Sequence, residues 1–189
     1  MMKRIKESIQ EKDQKKLIAQ VLGAEMREYK RQNLLGTFVL LYYTGLRLNE
    51  IQTLRIQDLL DLLENGEMKI KTQKTNTERK LYLSKNFKRD ILKYINLEQD
   101  PENKIIQKHN YKRSSIHEKA YINLVNSFMK DVLGTGYTSH SFRQGILTEM
   151  GSKGINPKIM KEFIGHKNIN TTLGYIKPTD EDIKNALVR

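Results

Sequence analysis

The sequence LLGTFVLLYYTGLR, residues 34–47, has the strongest influence on the architecture of this chain. Its first eight residues are densely apolar and predict a buried helix. Apolar residues already recur at helical spacing from Leu17 onward, so the region before it is predicted to be helical as well. Gly45 interrupts the pattern, and Leu48, Ile51 and Leu54 predict a second, short helix after the glycine.

The character of the sequence changes between residues 58 and 83. Asn65-Gly66 is typical of a tight turn, and the segment Met68–Lys71 alternates apolar with polar residues. Two or three short antiparallel strands are therefore predicted here. The segment Lys80–Leu83 is the last of them.

Local signals for helices dominate the rest of the chain, and together with the strands they predict a mainly α fold with a small antiparallel β-sheet, an α+β class. In chain order the signals are the fourfold spacing of Phe87, Ile91 and Ile95, the capping box from Ser115 to Glu118, the pair Asn156-Pro157 with Gly165 as the helix end, and Thr179 before a final helix.

Composition indicates a basic protein of one ordinary domain. The chain has 189 residues, of which 38% are hydrophobic and 30% charged, so it can bury a core. Its formal net charge of +12 is spread along the chain and predicts a basic face that attracts polyanions, most commonly nucleic acid. A merely solvated surface is the alternative explanation of the charge.

Several classes of protein and site are excluded or disfavoured by what the sequence lacks. It contains no cysteine, which excludes disulfides and thiolate zinc sites. There is no apolar run of about 18 residues, so no membrane association is expected. Residues 1–20 carry no apolar signal core, and a cytoplasmic location is expected.

Two segments in the first half of the chain carry candidate phosphate-binding cations. Arg47 follows the Gly45 turn at a helix start, where its planar fork of donors could hold a phosphate. A surface ion pair with Glu50 is the simpler explanation of the same residue. Lys74 lies near a hairpin turn five positions before Arg79, and an exposed basic hairpin is the alternative there.

Two segments in the second half carry His, Arg and Tyr. The three-residue step from His140 to Arg143 puts both on one side of a helical turn, where both can reach one anion. His166 follows a predicted helix end and precedes Tyr175 by nine residues. Taken singly, each histidine could be structural and the tyrosine an ordinary packed aromatic residue.

Taken together and in order, these motifs resemble those of the tyrosine recombinases of the phage integrase family. The resemblance runs from Thr44 to Tyr175. The family often has a second His after the motif Arg, where this chain has Gln144, and often a Pro where it has Tyr82. Lys71 competes with Lys74 for the lysine position, and the step to Arg79 favours Lys74.

The resemblance implies a catalytic-domain fold of that family and an enzyme that cuts and rejoins double-stranded DNA through a 3′-phosphotyrosyl bond, without metal or cofactor. A tetramer on paired DNA sites is implied as well. The implied catalytic residues are Arg47, Lys74, His140, Arg143, His166 and Tyr175, and the implied DNA-binding residues are Lys71, Arg79, Lys80 and Lys167.

The resemblance also sets expectations for domain organisation and for rival functions. Residues 1–189 are expected to form one catalytic domain, with a helical lead-in at 1–31 and a C-terminal helix or tail at 178–189. The N-terminal core-binding domain of the family is expected to be absent. A type IB topoisomerase is the nearest alternative, and a non-catalytic DNA-binding protein of the same fold is another. The spacing from His166 to Tyr175 favours a recombinase.

Overall fold

A central helix organises the domain. In the computed structural model, which describes residues 7–71 and 78–175, this helix is α2 (Glu28–Thr44), and every residue from Asn33 to Leu41 is buried. A helix that is apolar on all sides must be covered on all sides. The helices that pack against it include α1 (Glu11–Gly23), α3 (Leu48–Thr53), α5 (Lys85–Tyr94) and α7 (Ser139–Ser152). The described part of the segment predicted as a helical lead-in, residues 7–31, contains α1 and the start of α2.

The predicted strands form one hairpin, preceded by a helix that the sequence pattern did not predict. Strands β1 (Glu67–Lys71) and β2 (Glu78–Tyr82) pair antiparallel, with Glu67 opposite Tyr82. Residues from Ile56 to Asn65 form α4. Asn65-Gly66 is consequently a helix end and not a hairpin turn: Gly66 has a φ of 74° and stops α4 in the left-handed conformation.

The helix α6 (Glu118–Leu133) begins later than the predicted capping box. Its N-cap is His117, whose Nδ1 accepts a hydrogen bond from the Lys119 amide at 3.3 Å. Gln52 donates from Nε2 to the Ile116 carbonyl oxygen at 2.8 Å, and within the described residues the buried Ser115 hydroxyl has no hydrogen-bond partner. The box predicted from Ser115 to Glu118 was therefore wrong, because the helix is capped by His117 and not by Ser115.

The last described elements follow the predicted signals more closely. Helix α8 (Pro157–Ile164) starts at Asn156, whose side chain accepts from the Lys158 amide, and ends at Gly165 with a φ of 71°. The short helix α9 (Ile169–Leu173) follows it. Leu147, Met160 and Ile164 form a small second core between α7 and α8. The helix predicted from Thr179 lies outside the described residues.

No helix within residues 7–71 and 78–175 has both the length and the apolar character needed to cross a bilayer.

Candidate active site

One turn at the start of α7 carries His140 and Arg143, which differ in exposure. Phe142 is buried and stacks against Phe38 of α2, with ring centroids 6.0 Å apart. The Ser139 amide donates to Asn126 Oδ1 at 2.9 Å, which ties the start of α7 to α6. With α7 fixed in this way, His140 is exposed, whereas Arg143 is only 6% exposed.

Arg143 joins the ends of two helices. Its Nη1 donates to the Gly45 carbonyl oxygen at 2.6 Å and its Nη2 donates to the Ile164 carbonyl oxygen at 2.7 Å. Both carbonyls lie at helix C-termini, where the partial charge is negative. Burial, together with the positive charges of Arg47 and Arg79, lowers the pKa of Arg143 to about 9. The guanidinium is thus held rigidly in a region that already contains positive charge.

Arg47 is fixed by a buried carboxylate three residues later. It is the N-cap of α3, and its amide donates to Glu50 Oε2 at 2.7 Å while its Nη1 donates to Oε1 at 2.9 Å. Glu50 is 4% exposed, and its carboxylate lies at the positive N-terminal end of α3. The ion pair that the sequence suggested therefore exists. It is partly buried, however, and it orients Arg47 instead of being an exposed surface pair.

Arg79 lies inside the protein, which does not fit the predicted direct contact with DNA. It is 5% exposed, its Nη1 donates to the Phe163 carbonyl oxygen at 2.8 Å, and its Nη2 lies 3.5 Å from Glu50 Oε2. Burial lowers its pKa to about 10, against the opposing effect of Glu50. The alternation of β2 contains the signal for this position, because residues 79 and 81 share a face and Leu81 is buried.

The other three predicted DNA-binding residues are exposed. Lys71 ends β1, and Lys167 follows the His166 position. Lys80 pairs with Glu67 across the hairpin, with Nζ 2.6 Å from Oε1, and this carboxylate raises the pKa of Lys80. All three can therefore meet a ligand approaching from solvent.

The environment of His166 favours its neutral form. It follows the left-handed Gly165, and its Nδ1 lies 3.0 Å from the Thr172 hydroxyl. Burial lowers its pKa to about 4, and the charges of Arg143, Arg47 and Arg79 act in the same direction. If the Thr172 hydroxyl donates to Nδ1, the ring carries its proton on Nε2 and can donate there.

Tyr175 lies beside His166 at the end of α9. The Tyr175 amide donates to the Thr172 carbonyl oxygen at 3.1 Å, and its ring centroid lies 6.3 Å from that of His166 at an interplanar angle of 24°. The ring also packs on the small core formed by Leu147, Met160 and Ile164. Thr172 therefore holds both residues, a role that the sequence motif did not reveal.

Five of the six predicted catalytic residues line one open pocket of about 400 Å³; they are Arg47, His140, Arg143, His166 and Tyr175, with Lys167 at the same pocket. Lys74 lies outside the described residues. Arg47 and Arg79 both pair with the buried carboxylate of Glu50, and the charges of all three act on Arg143, so the described part of the pocket has an excess of positive charge. The described part of the chain contains no group of three or more His, Asp or Glu residues placed to hold a metal ion.

The sequence profile of the phage integrase family matches residues 7–182. The chain belongs to this family. Relatives in the family include tyrosine recombinase XerA of Pyrococcus horikoshii, which is 28% identical over 150 residues; the match covers 79% of this chain and 52% of that protein. The chain thus spans about half the length of this relative. The family resemblance predicted from the motifs is confirmed.

Solved structures of the family share the fold. The crystal structure of XerA recombinase superposes with a TM-score of 0.71 at 17% identity, covering 98% of this chain and 65% of that one. XerH site-specific recombinase, bound to its difH substrate in a pre-cleavage complex, gives a TM-score of 0.70 at 21% identity and covers 100% and 55%. The predicted fold class, mainly helical with a small antiparallel sheet, is confirmed.

Proposed function

We propose that this domain cuts and rejoins double-stranded DNA through a covalent bond between Tyr175 and a 3′-phosphate. The observation that carries the proposal is the pocket in which Arg47, Arg143 and His166 meet Tyr175 under an excess of positive charge. A DNA phosphodiester resists attack because its charge repels nucleophiles, and cations held in place before the reaction reduce that barrier. The names of the relatives, tyrosine and site-specific recombinases, support the same activity.

Arg47 and Arg143 would hold the nonbridging oxygens of the phosphate. A guanidinium has five donors, and the contacts of Arg143 with the Gly45 and Ile164 carbonyls engage two of them. His166 would add a donor from Nε2, which carries the proton of the neutral ring when Nδ1 accepts from the Thr172 hydroxyl. These interactions should strengthen as charge builds on the oxygens in the transition state.

Tyr175 would supply the nucleophile. A phenol attacks poorly until it loses its proton, and His140, exposed and lining the same pocket, is the proposed base. The bond from the Tyr175 oxygen to phosphorus forms as the bond from phosphorus to the 5′-oxygen breaks. Lys74 is proposed to protonate the departing 5′-oxygen. Attack by a 5′-hydroxyl on the phosphotyrosyl bond then rejoins DNA by the reverse path, because the ester keeps the bond energy.

DNA binding and assembly are part of the same proposal. Lys71, Lys80 and Lys167 would contact the phosphate backbone, which gives affinity that falls steeply with salt. Cutting and exchanging strands between two duplexes requires several protomers, so a tetramer on paired sites is proposed. The activity would place the protein with DNA in the cytoplasm.

Trapping on nicked suicide DNA tests the proposed chemistry. Duplexes of randomised sequence with a nick in one strand would be incubated with the protein and resolved by denaturing electrophoresis. Cleavage near the nick releases a short 5′-hydroxyl strand that diffuses away, so the adduct accumulates. Tyr175→Phe should form none, and Tyr111→Phe, which alters an exposed tyrosine, should match the unaltered chain. An unaltered chain without adduct, or an adduct on Tyr175→Phe, would contradict the proposal.

Product topology separates strand exchange from strand relaxation. A recombinase joins strands of two duplexes, whereas a type IB topoisomerase relaxes supercoils within one. Sequences recovered from the trapped adducts would be placed on two linear duplexes of different length and on one supercoiled plasmid. Recombinant lengths support the proposed function, and relaxation without recombinants supports the topoisomerase alternative.

A further inference from the structure

Arg79 connects three elements that surround the pocket without reaching the pocket itself. It lies in β2, donates to the Phe163 carbonyl at the end of α8, and faces Glu50 in α3. The residues that line the pocket do not include it. Its burial leaves it no surface on which to meet DNA.

The arrangement of Arg79 is costly for a residue that only fills space. Burying a charge requires compensation, and replacing a buried ion pair by apolar residues is often neutral or stabilising. Within the described residues, Arg79 Nε and Nη2 have no hydrogen-bond partner, and Glu50 compensates Nη2 only through an ion pair at 3.5 Å. A contribution to folding stability therefore does not explain this arginine well, whereas the positioning of neighbouring residues does.

The first alignment runs through Glu50. The same oxygen, Oε2, accepts from the Arg47 amide at 2.7 Å and faces Arg79 Nη2, while Oε1 accepts from the Arg47 side chain. The Glu50 carboxylate thus lies between the guanidiniums of Arg47 and Arg79 and is attracted by both. Moving or removing Arg79 changes the position of the carboxylate, and Arg47 moves with it.

The second alignment runs through the end of α8. Arg79 binds the Phe163 carbonyl, and the next carbonyl, of Ile164, is bound by Arg143. The Arg79 side chain also packs beneath Gly165, since its Cδ lies 3.2 Å from where a β-carbon on that residue would be. His166 follows directly, so Arg79 supports the backbone from which the imidazole projects.

We propose that Arg79 is a positioning residue that sets Arg47, through Glu50, and His166, through the end of α8, for transfer of the phosphate. This inference rests on the proposed function for its kinetic consequence only. Its structural consequence can be tested in the free protein. This consequence is that Arg79, which lies outside the pocket, supports both Arg47 and His166.

The test uses Arg79→Met, Arg79→Lys and the matched control Lys69→Met, which alters an exposed lysine of the same hairpin. The DNA-free arm compares amide and arginine side-chain NMR spectra. Arg79→Met should shift the signals of Gly165, His166 and the Arg47 Nε–H, whereas Lys69→Met should shift signals of the hairpin alone. Shifts in Arg79→Met that are confined to β2 would overturn the proposal, whether or not the chain cuts DNA.

The kinetic arm measures the rate of covalent complex formation at saturating DNA and the DNA concentration that gives half of that rate. A displacement of about 1 Å in a positioned group can cost roughly 100-fold in rate. Arg79→Met should therefore slow the saturated rate by about 100-fold, while the DNA concentration that gives half of that rate changes by less than about threefold. Lys69→Met should leave the saturated rate unchanged.

Three kinetic results would overturn the proposal: a saturated rate for folded Arg79→Met equal to that of the unaltered chain, a loss confined to half-saturation, or a larger loss in Arg79→Lys than in Arg79→Met. Should Arg79→Met fail to fold, Arg79→Lys decides, with an expected slowing of about tenfold at unchanged half-saturation. An unaltered chain that forms no adduct contradicts the proposed function, and the NMR arm then decides the role of Arg79.

Discussion

The backbone carbonyl of Ile9 occupies the place where a β-carbon at position 145 would stand, so the chain before α1 can lie against α7 only because Gly145 has no side chain. The Ile9 amide also donates to the Ser141 carbonyl oxygen at 3.0 Å, and the Ile9 side chain belongs to the main core. This contact covers the turn of α7 that carries His140 and Arg143. The segment before α1 is therefore part of the support of the pocket.

Gly145→Ala should destabilise the protein. The added methyl group would push the Ile9 backbone away, break its bond to Ser141 and loosen its side chain from the core. Overpacking of this kind costs about 1–3 kcal/mol, which urea denaturation would measure as a lower midpoint. Gly23→Ala is the control: nothing lies within 4 Å of its added carbon, so no loss is expected. Equal effects of the two substitutions would contradict the contact.

Sulfate should raise the melting temperature through the pocket. Arg47 and Arg79 share the buried carboxylate of Glu50, Arg143 is repelled by both of them, and a bound divalent anion relieves this repulsion. At ten times its dissociation constant, an anion bound only to the folded state contributes about 1.4 kcal/mol.

The measurement is a comparison with Arg47→Met, because sulfate also stabilises proteins in general. Thermal melts in sulfate and in chloride at equal ionic strength would be recorded for both proteins. The unaltered chain should gain more from sulfate than Arg47→Met does. An identical gain would show that the pocket does not bind the anion.

His166 should titrate far below the ordinary range of a histidine. Its pKa is lowered from 6.5 to about 4, so between these values the unfolded chain binds more protons than the folded one. The contribution of His166 therefore makes stability rise with pH from about 4 to 6.5 and level off above. Ring-proton NMR of the free protein should show one histidine titrating near 4, and His166→Asn should remove that signal. A titration of this signal near 6.5 would contradict the burial and charge of the site.

The sequence predicted those parts of the fold whose causes are local. The apolar run before Gly45 can only be a buried helix, and the cap at Asn156 with the stop at Gly165 defines α8 without help from the rest of the chain. The start of α6 was predicted wrongly, since His117 and not Ser115 caps the helix. The segment before the cap is bound by Gln52, which lies 64 residues earlier, and local spacing cannot predict such a contact.

The candidate site divides in the same way. The identities of Arg47, His140, Arg143, His166 and Tyr175 followed from ordered motifs, and the fold brings these residues to one pocket. Their supports did not follow, because Thr172 beside His166 and the Ile9 carbonyl beside Gly145 depend on how separate segments pack. The position of Arg79 could be predicted only in part. The alternation of β2 predicted a buried side chain, whereas the charge of the residue predicted an exposed one.

Glu50→Gln should destabilise the protein more than any exposed carboxylate does. The substitution keeps the shape of the side chain but leaves the buried Arg79 guanidinium without its counter-charge and weakens the hold on Arg47. Removing one partner of a buried ion pair costs about 3–5 kcal/mol, because the remaining charge stays desolvated. Glu78→Gln is the matched control, since Glu78 pairs with Lys69 in an exposed position at 3.8 Å and should change stability by less than about 1 kcal/mol. Urea midpoints of the two variants would give the comparison. A loss for Glu50→Gln no larger than that for Glu78→Gln would mean that the buried guanidinium is compensated by the Phe163 carbonyl alone.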